Sequence, residues 1–139
     1  MKKFNIYSNP SKDLGSFIDH RGSIHDIFYK TNLNHVAIIE SVPNAERGNH
    51  YHAKTTQHIY IISGSLEYWY KNGETADPKF EICMKGDLVT SEKNEIHALK
   101  ISADGCTFIA FTEGIRGGKD FESDTYRTEN IMQARRQSN

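Results

Sequence analysis

Short stretches rich in β-branched and aromatic residues recur along the chain, and turn-forming residues separate them. Residues 35–42, 57–63, 66–71 and 80–84 show this pattern. Such residues favour strands, and many short strands at turn spacing are typical of a β-sandwich or a β-barrel. The sequence therefore predicts an all-β fold with at least eight short strands and hardly any helix.

A glycine-containing pair predicts how two of these strands are joined. Gly64 and Ser65 lie between residues 57–63 and residues 66–71. A glycine in a two-residue connection supplies the positive φ that a tight hairpin turn requires. We therefore predict a β-hairpin at this position.

Four further segments complete the predicted architecture. Residues 4–7 alternate like a short edge strand or arm, and residues 98–101 and 106–112 are predicted as separate strands. The chain from about residue 120 is predicted to be a short helix or a tail, with a frayed polar end.

Length and composition limit the partners of this chain. Its 139 residues are most simply one domain, residues 1–139, and 17 basic against 18 acidic residues leave a net charge of -1. That balance gives no electrostatic case for nucleic acid or an anionic membrane, and no apolar run approaches the ~18 residues of a membrane span. Cys83 and Cys106 are too few for a disulfide framework and are most simply small core residues. With no apolar signal stretch at the start, we expect a cytoplasmic protein with a small-molecule partner.

Two alternate histidines form the strongest functional pattern. His50 and His52 follow Arg47 and Gly48, and Gln57 comes five residues later. If this segment is a strand, its period of two sends both imidazoles to one face, where they can share one small volume. Such a face can bind a metal or move protons.

Two motifs together resemble the paired motifs of the cupin superfamily. The first comprises His50, His52, Gln57 and Gly64, and the second comprises Gly86, Asp87 and His97. The resemblance covers about residues 20–112 and implies a small double-stranded β-helix, or jelly-roll, barrel with these side chains pointing inward. In that pattern, Gln57 occupies the place of a metal-binding carboxylate.

The glutamine bears on the choice between metal and proton chemistry. Three imidazoles and an amide provide no anionic ligand to offset the charge of a divalent metal, although zinc sites with three histidines exist. Two histidines near an amide and an arginine suit proton transfer better, because imidazole titrates close to neutral pH. We therefore predict no metal and no other cofactor.

A closer resemblance rests on two runs of the sequence. Asp19, Arg21, Gly22 and Ser23 form the first, and Arg47 to Gln57 with its two histidines forms the second. Together they resemble the 3,4-ketoisomerases of nucleotide-linked 4-keto-6-deoxysugars, which are cupins related to the dTDP-4-keto-6-deoxyglucose 3,5-epimerases. The resemblance implies a metal-free homodimer, in which an N-terminal strand can cross to the partner. It also implies a dTDP-linked sugar as substrate and a role in making precursors of surface polysaccharides.

The resemblance also assigns roles to residues. His50 matches the base of the related epimerases, and His52 is then the second proton carrier, although which of the two is base and which acid stays open. Arg21 and Arg47 suit pyrophosphate or sugar oxygens, because a planar guanidinium donates two parallel hydrogen bonds. The remaining predicted substrate-binding residues are Gln57, His97 and Asn49.

Some histidines are predicted to have no functional role, and several alternative functions stay open. His20, His25 and His35 are predicted to be structural or exposed, because nothing pairs with them in sequence. The ketoisomerases tend to have a tyrosine on the strand before Arg47, where this chain has Ala37, Ile38 and Ile39. The alternatives are a metal-dependent cupin enzyme, a sugar-nucleotide 3,5-epimerase and a non-catalytic sugar-binding cupin.

Overall fold

The computed structural model of the chain describes residues 1–115, 118–120 and 122–132, and these are mostly strands. A single 3-10 turn, Gly118–Asp120, is the helical element of the described ranges. The strands are β1 (Lys2–Asn5), β2 (Ser16–Asp19), β3 (Gly22–His25), β4 (His35–Ser41), β5 (Glu46–Tyr51), β6 (Thr56–Asn72), β7 (Lys79–Met84), β8 (Asp87–Ser91), β9 (Glu95–Glu113) and β10 (Tyr126–Arg127). The predicted all-β class is confirmed.

Two long antiparallel strands, β6 and β9, form the centre of the fold. They pair along almost their whole length, with irregularities near Gly64. The predicted hairpin at Gly64 and Ser65 is therefore wrong, because the residues on either side pair with β9 and not with each other. Gly64 has φ 75°, and a Cβ there would lie 2.1 Å from the carbonyl oxygen of Gly105. The glycine thus permits a bulge inside one strand, where the two chains approach closely.

The irregularity divides each long strand between two layers. In the first layer, the Gln57 end of β6 pairs with β8 and with the second half of β9, while β4 and β1 form the edges. In the second layer, the other half of β6 pairs with β7, and the first half of β9 pairs with β5, which in turn pairs with β10. The two strands predicted at 98–101 and 106–112 are therefore halves of the single strand β9.

The hydrophobic core is shared by both layers. Its largest cluster contains Ile59 and Phe108 from the first layer together with Tyr68 and Leu99 from the second. Burial removes apolar side chains from water, and this is the main favourable term in the stability of such a sandwich. Cys83 and Cys106 are buried free cysteines. Burial raises the pKa of the Cys83 thiol to about 12 and that of the Cys106 thiol to about 11. Their predicted place in the core is confirmed.

The two ends of the chain differ in how well they match expectation. The predicted N-terminal edge strand is present, as β1 pairs with β8. Near the other end, residues 126–127 form a strand against β5 instead of part of a helix, and the frayed end predicted at 133–139 lies outside the described residues. No helix in the described ranges is long and apolar enough to cross a membrane.

Candidate active site

Three histidine rings lie together on the second layer. His50 on β5 and His97 on β9 are register partners, and their ring centroids are 4.7 Å apart. His52 follows the end of β5, with its ring centroid 4.8 Å from that of His50 and 5.2 Å from that of His97. The structure thus brings together the two histidines of the first motif and the histidine of the second.

A bulge in β5 aims His50 at this cluster. The register with β9 shifts between Gly48 and His50, and Gly48 and Asn49 have φ 90° and 58°. A Cβ at Gly48 would lie 2.8 Å from the carbonyl oxygen of His97, so a glycine allows β5 to approach β9 closely. Within the Arg-Gly pair of the sequence motif, the glycine is therefore required by the backbone geometry of the bulge.

His52 is almost fully buried, at 2% exposure, and its orientation is fixed by a backbone group. Its Nδ1 lies 2.8 Å from the backbone oxygen of Asp124, which can only accept a hydrogen bond. Nδ1 therefore carries a proton, and in the neutral ring Nε2 has the lone pair. This arrangement suits either a base or a metal ligand.

Asp124 is a site residue that the sequence did not indicate. Its carboxylate accepts hydrogen bonds from the backbone N–H groups of Ala53, at 3.0 Å, and Lys54, at 2.8 Å. Burial raises the pKa of Asp124, but these N–H groups and the Thr55 side chain outweigh it, so the pKa lies below its ordinary value of 3.8. No local motif marks this residue, because its partners are about 70 positions away.

A cavity of about 310 Å³ lies between the two layers, next to the histidine cluster. Its second-layer wall includes His50, His97 and Arg47, and its first-layer wall includes Gln57 and His35. Most of the other lining side chains of the two walls are apolar, namely Ala37, Ile39, Leu99, Phe108 and Ala110, and Thr112 adds a hydroxyl group. A volume near 300 Å³ is at the lower end of small-molecule sites.

The segment after β9 closes part of the cavity. Glu122, Thr125 and Arg127 line it, and the guanidinium of Arg127 lies 2.8 Å from the carboxylate of Glu122. Two hydrogen bonds tie this segment to Asn49: its backbone oxygen accepts from Thr128 N–H, and its Oδ1 accepts from Ile131 N–H. The sequence predicts a short helix or a tail from about residue 120, and it marks none of these residues as part of a site.

The predicted site residues thus take four different places relative to the cavity. His50, Arg47, Gln57 and His97 line the cavity, whereas His52 lies behind His50 and His97. Asn49 supports the C-terminal segment and is not among the lining residues, so its predicted contact with substrate stays a prediction.

Arg21 lies outside the cavity, at the tip of the β2–β3 hairpin. Its guanidinium lies 2.7 Å from the carboxylate of Asp19, and hydrogen bonds from Arg21 lower the pKa of Asp19. An exposed ion pair of this kind contributes little to stability. Its predicted role toward a substrate stays a prediction.

The cluster has two chemical capacities. One ligand nitrogen from each of His50, His52 and His97 lies within 4.8 Å of the others, so the three could hold a metal ion such as zinc. Among the described residues, this metal-capable group includes no carboxylate. The same imidazoles beside a guanidinium also suit proton transfer to and from a polar ligand.

The chain was compared with protein families, with curated proteins and with solved structures. The family model described as the polysaccharide biosynthesis C-terminal domain matches residues 17–91, just over half of the chain. A comparison with curated proteins gave no significant match.

Several solved structures share the fold. A 3,4-ketoisomerase from Helicobacter canadensis has a TM-score of 0.70 and 17% identity, covering 96% of this chain and 95% of that chain. A mutant of the 3,4-ketoisomerase QdtA from Thermoanaerobacterium thermosaccharolyticum, in complex with TDP-4-keto-6-deoxyglucose, has a TM-score of 0.67 and 17% identity, covering 88% and 91%. The capsular polysaccharide assembling protein CapF from Staphylococcus aureus has a TM-score of 0.63 and 19% identity, covering 89% of this chain but 36% of that one. The predicted cupin jelly-roll fold is confirmed.

Proposed function

This chain belongs to the polysaccharide biosynthesis C-terminal domain family, and from this membership and its histidine-lined cavity we propose that it is a sugar-nucleotide isomerase. The proposed substrate is a nucleotide-linked 4-keto-6-deoxyhexose, and the proposed reaction moves the ketone from C4 to C3. A dTDP-linked sugar is the first choice, because a similar structure is a complex with TDP-4-keto-6-deoxyglucose. A cytoplasmic location and a homodimer belong to the same proposal.

The observation that carries the proposal is the pairing of His50 with His97 on one cavity wall. Their rings are 4.7 Å apart, and Arg47 and Gln57 line the same cavity. Imidazoles can take and return protons near neutral pH, whereas the arginine stays charged and the amide does not titrate. The cavity therefore combines groups that move protons with groups that bind oxygen atoms.

The reaction follows from the acidity of the C3 hydrogen, which the neighbouring C4 carbonyl increases. His50 removes this proton as general base and leaves an enediolate spanning C3 and C4. The guanidinium of Arg47 stabilises the charge that develops on oxygen, and one well-placed donor is worth about 3 kcal/mol at a transition state. Returning the proton to C4 instead of C3, with loss of the O3 hydroxyl proton and gain of a proton at O4, moves the ketone.

His52 is proposed as the second proton carrier. It does not line the cavity, but its ring contacts those of His50 and His97. A proton held on His52 would therefore reach the sugar through one of these two rings. The backbone oxygen of Asp124 keeps Nδ1 of His52 protonated, so Nε2 is the atom that can exchange a proton.

The first test is turnover of dTDP-4-keto-6-deoxyglucose in deuterated water, followed by NMR. We expect a 3-keto product with wild-type protein, and a loss of at least ~10³-fold in kcat with His50→Ala, since general base catalysis contributes about 10²–10⁴-fold. His20→Ala is the matched control, because His20 is an exposed histidine outside the cavity. A His50→Ala protein with full activity would place the base elsewhere, and deuterium at C5 would favour epimerisation.

The three-histidine group makes a metal-dependent enzyme the second candidate. Metal analysis of the purified protein separates the two, together with assays after chelation. We expect ketone migration to continue in the presence of a chelator. Stoichiometric zinc, iron or manganese that disappears in His52→Ala, together with loss of activity on chelation, would reject the metal-free mechanism.

A further inference from the structure

His35 lies on the cavity wall opposite the histidine cluster. It begins β4, whose residues alternate between the two faces: Ala37 and Ile39 also line the cavity, and the intervening residues are exposed. Its register partner on β9 is Thr112, and the next residue across the layer is Gln57. These three side chains form a polar row among apolar neighbours.

The backbone at His35 is firmly held. The preceding residue, Asn34, donates its backbone N–H to the carbonyl oxygen of Thr112 at 3.0 Å. The side chain of Asn34 also accepts from Gly114 N–H at 3.2 Å and donates to the Gly114 carbonyl. These bonds fasten the start of β4 to the end of β9, so the position of His35 relative to Gln57 is fixed by the sheet.

Among the described residues, one ring nitrogen of His35 lacks the hydrogen bond expected of a structural histidine. Within the part of the chain that the structure describes, Nδ1 of His35 is buried and has no hydrogen-bond partner. His58, in contrast, bonds to Thr90 at 2.8 Å and to Glu113 at 2.7 Å. A buried nitrogen without a partner is unfavourable, so this residue calls for a functional reason.

Moving a ketone needs a second proton transfer besides the one at carbon. The enediolate can take a proton at C4 only if O3 gives up its hydroxyl proton, and O4 must gain a proton to become the new hydroxyl. Exchange of the C3 hydrogen with solvent needs no such transfer, because the enediolate then simply returns to the substrate. The two processes are therefore separable by experiment.

Few cavity groups can carry that hydroxyl proton. Of the lining residues that the structure describes, the candidate proton carriers are the imidazoles of His35, His50 and His97 and the carboxylate of Glu122, and none is a tyrosine. Glu122 is ion-paired with Arg127, and His50 and His97 share the wall assigned to the carbon-bound proton.

We propose that His35 contacts O3 and O4 of the sugar and relays the hydroxyl proton between them, an inference that rests on the proposed isomerase function. The O3–H bond breaks as a ring nitrogen of His35 gains the proton. That N–H bond then breaks as O4–H forms, so His35 ends as it began. The proposal makes His35 a catalytic residue of the wall opposite the base.

The test compares His35→Gln with wild type in deuterated water. Glutamine retains hydrogen-bonding groups but cannot relay a proton. We expect formation of the 3-keto product to fall at least ~10²-fold, the contribution typical of a positioned acid–base group. The ratio of C3 deuterium in recovered substrate to 3-keto product should rise at least ~10-fold, because the enediolate still forms. His20→Gln is the control, and both variants should keep the wild-type unfolding temperature.

The outcomes separate the two proposals. If wild type gives neither product nor exchange with dTDP-4-keto-6-deoxyglucose, the proposed function fails, and the relay fails with it. If wild type is active and His35→Gln shows an unchanged ratio, the relay alone is rejected, whether or not the overall rate falls. A folded His35→Ala variant serves as the second measurement and should show the same rise in the ratio.

Discussion

Asp124 connects the C-terminal segment to the histidine cluster with both its carboxylate and its backbone. The carboxylate accepts from the N–H groups of Ala53 and Lys54, and the backbone oxygen accepts from His52. Asp124 is 1% exposed, so removing its carboxylate takes the acceptor from the N–H groups of Ala53 and Lys54, while the backbone oxygen still accepts from His52. A residue outside the cavity therefore helps to set which nitrogen of His52 is available.

We predict that Asp124→Asn lowers the free energy of unfolding by ~1–3 kcal/mol near neutral pH. The pKa of Asp124 is lowered in the folded protein, so its charged carboxylate stabilises the fold above the ordinary value of 3.8. This stabilisation is lost as the pH falls below that value. Urea unfolding near neutral pH and again at about pH 3 should show the difference between wild type and variant shrinking on acidification. An equal difference at both pH values would contradict this role.

Single residues show what sequence reasoning can and cannot reach. The proximity of His50 and His52 could be predicted, because strand periodicity acts over two residues. The places of Asp124 and His35 could not, since both depend on chain segments that meet only after folding. His35 was expected to be structural or exposed, but it lines the cavity with an unpartnered buried nitrogen among the described residues.

At the level of elements, the bulge in β5 decides where His50 points. Gly48 combines φ 90° with a close approach to β9, where a Cβ would lie 2.8 Å from the His97 carbonyl oxygen and 2.9 Å from Ala98 Cα. Both neighbours are backbone atoms, which cannot move aside without shifting the strand. Any larger residue at this position must therefore displace β5 from β9.

We predict that Gly48→Ala reduces both stability and turnover more than Gly73→Ala does. Gly73 has a similar φ of 85°, but a Cβ there would meet nothing within 4 Å, so it shares the backbone strain without the clash. Positive φ costs an alanine ~1–3 kcal/mol, and the clash adds to this at Gly48. Thermal unfolding and kcat measured in parallel provide the check, and equal losses in the two variants would show that the close approach is unimportant.

The elements also show why local patterns mislead. Gly64 and Ser65 fit a hairpin turn as well as they fit a bulge, because both need a positive φ. The choice depends on Gly105, which is 41 residues away from Gly64 and approaches it within the β6–β9 pairing. The strand class of residues 57–63 and 66–71 was nevertheless predictable, since their composition is independent of what joins them.

At the scale of the whole molecule, the β2–β3 hairpin is a two-stranded sheet of its own with exposed apolar side chains. Phe17 and Ile24 are register partners, and they are 58% and 67% exposed. An isolated two-stranded hairpin is only marginally stable in water. These observations support the proposed homodimer, in which a second copy would cover this hairpin.

We predict that a Phe17→Ser/Ile24→Ser double variant is monomeric, whereas wild type is a dimer by light scattering and sedimentation. Ile115→Ser is the control, because Ile115 is similarly exposed, at 52%, but lies outside the hairpin. A monomeric wild type would refute the dimer, and a double variant that stays dimeric would place the interface on another surface.

Strand β9 belongs to both walls of the cavity, since Thr112 pairs with His35 while His97 pairs with His50. A local opening that releases one wall must disturb the strand that holds the other. We therefore expect both walls of the site to be gained and lost together, as one cooperative unit with this strand.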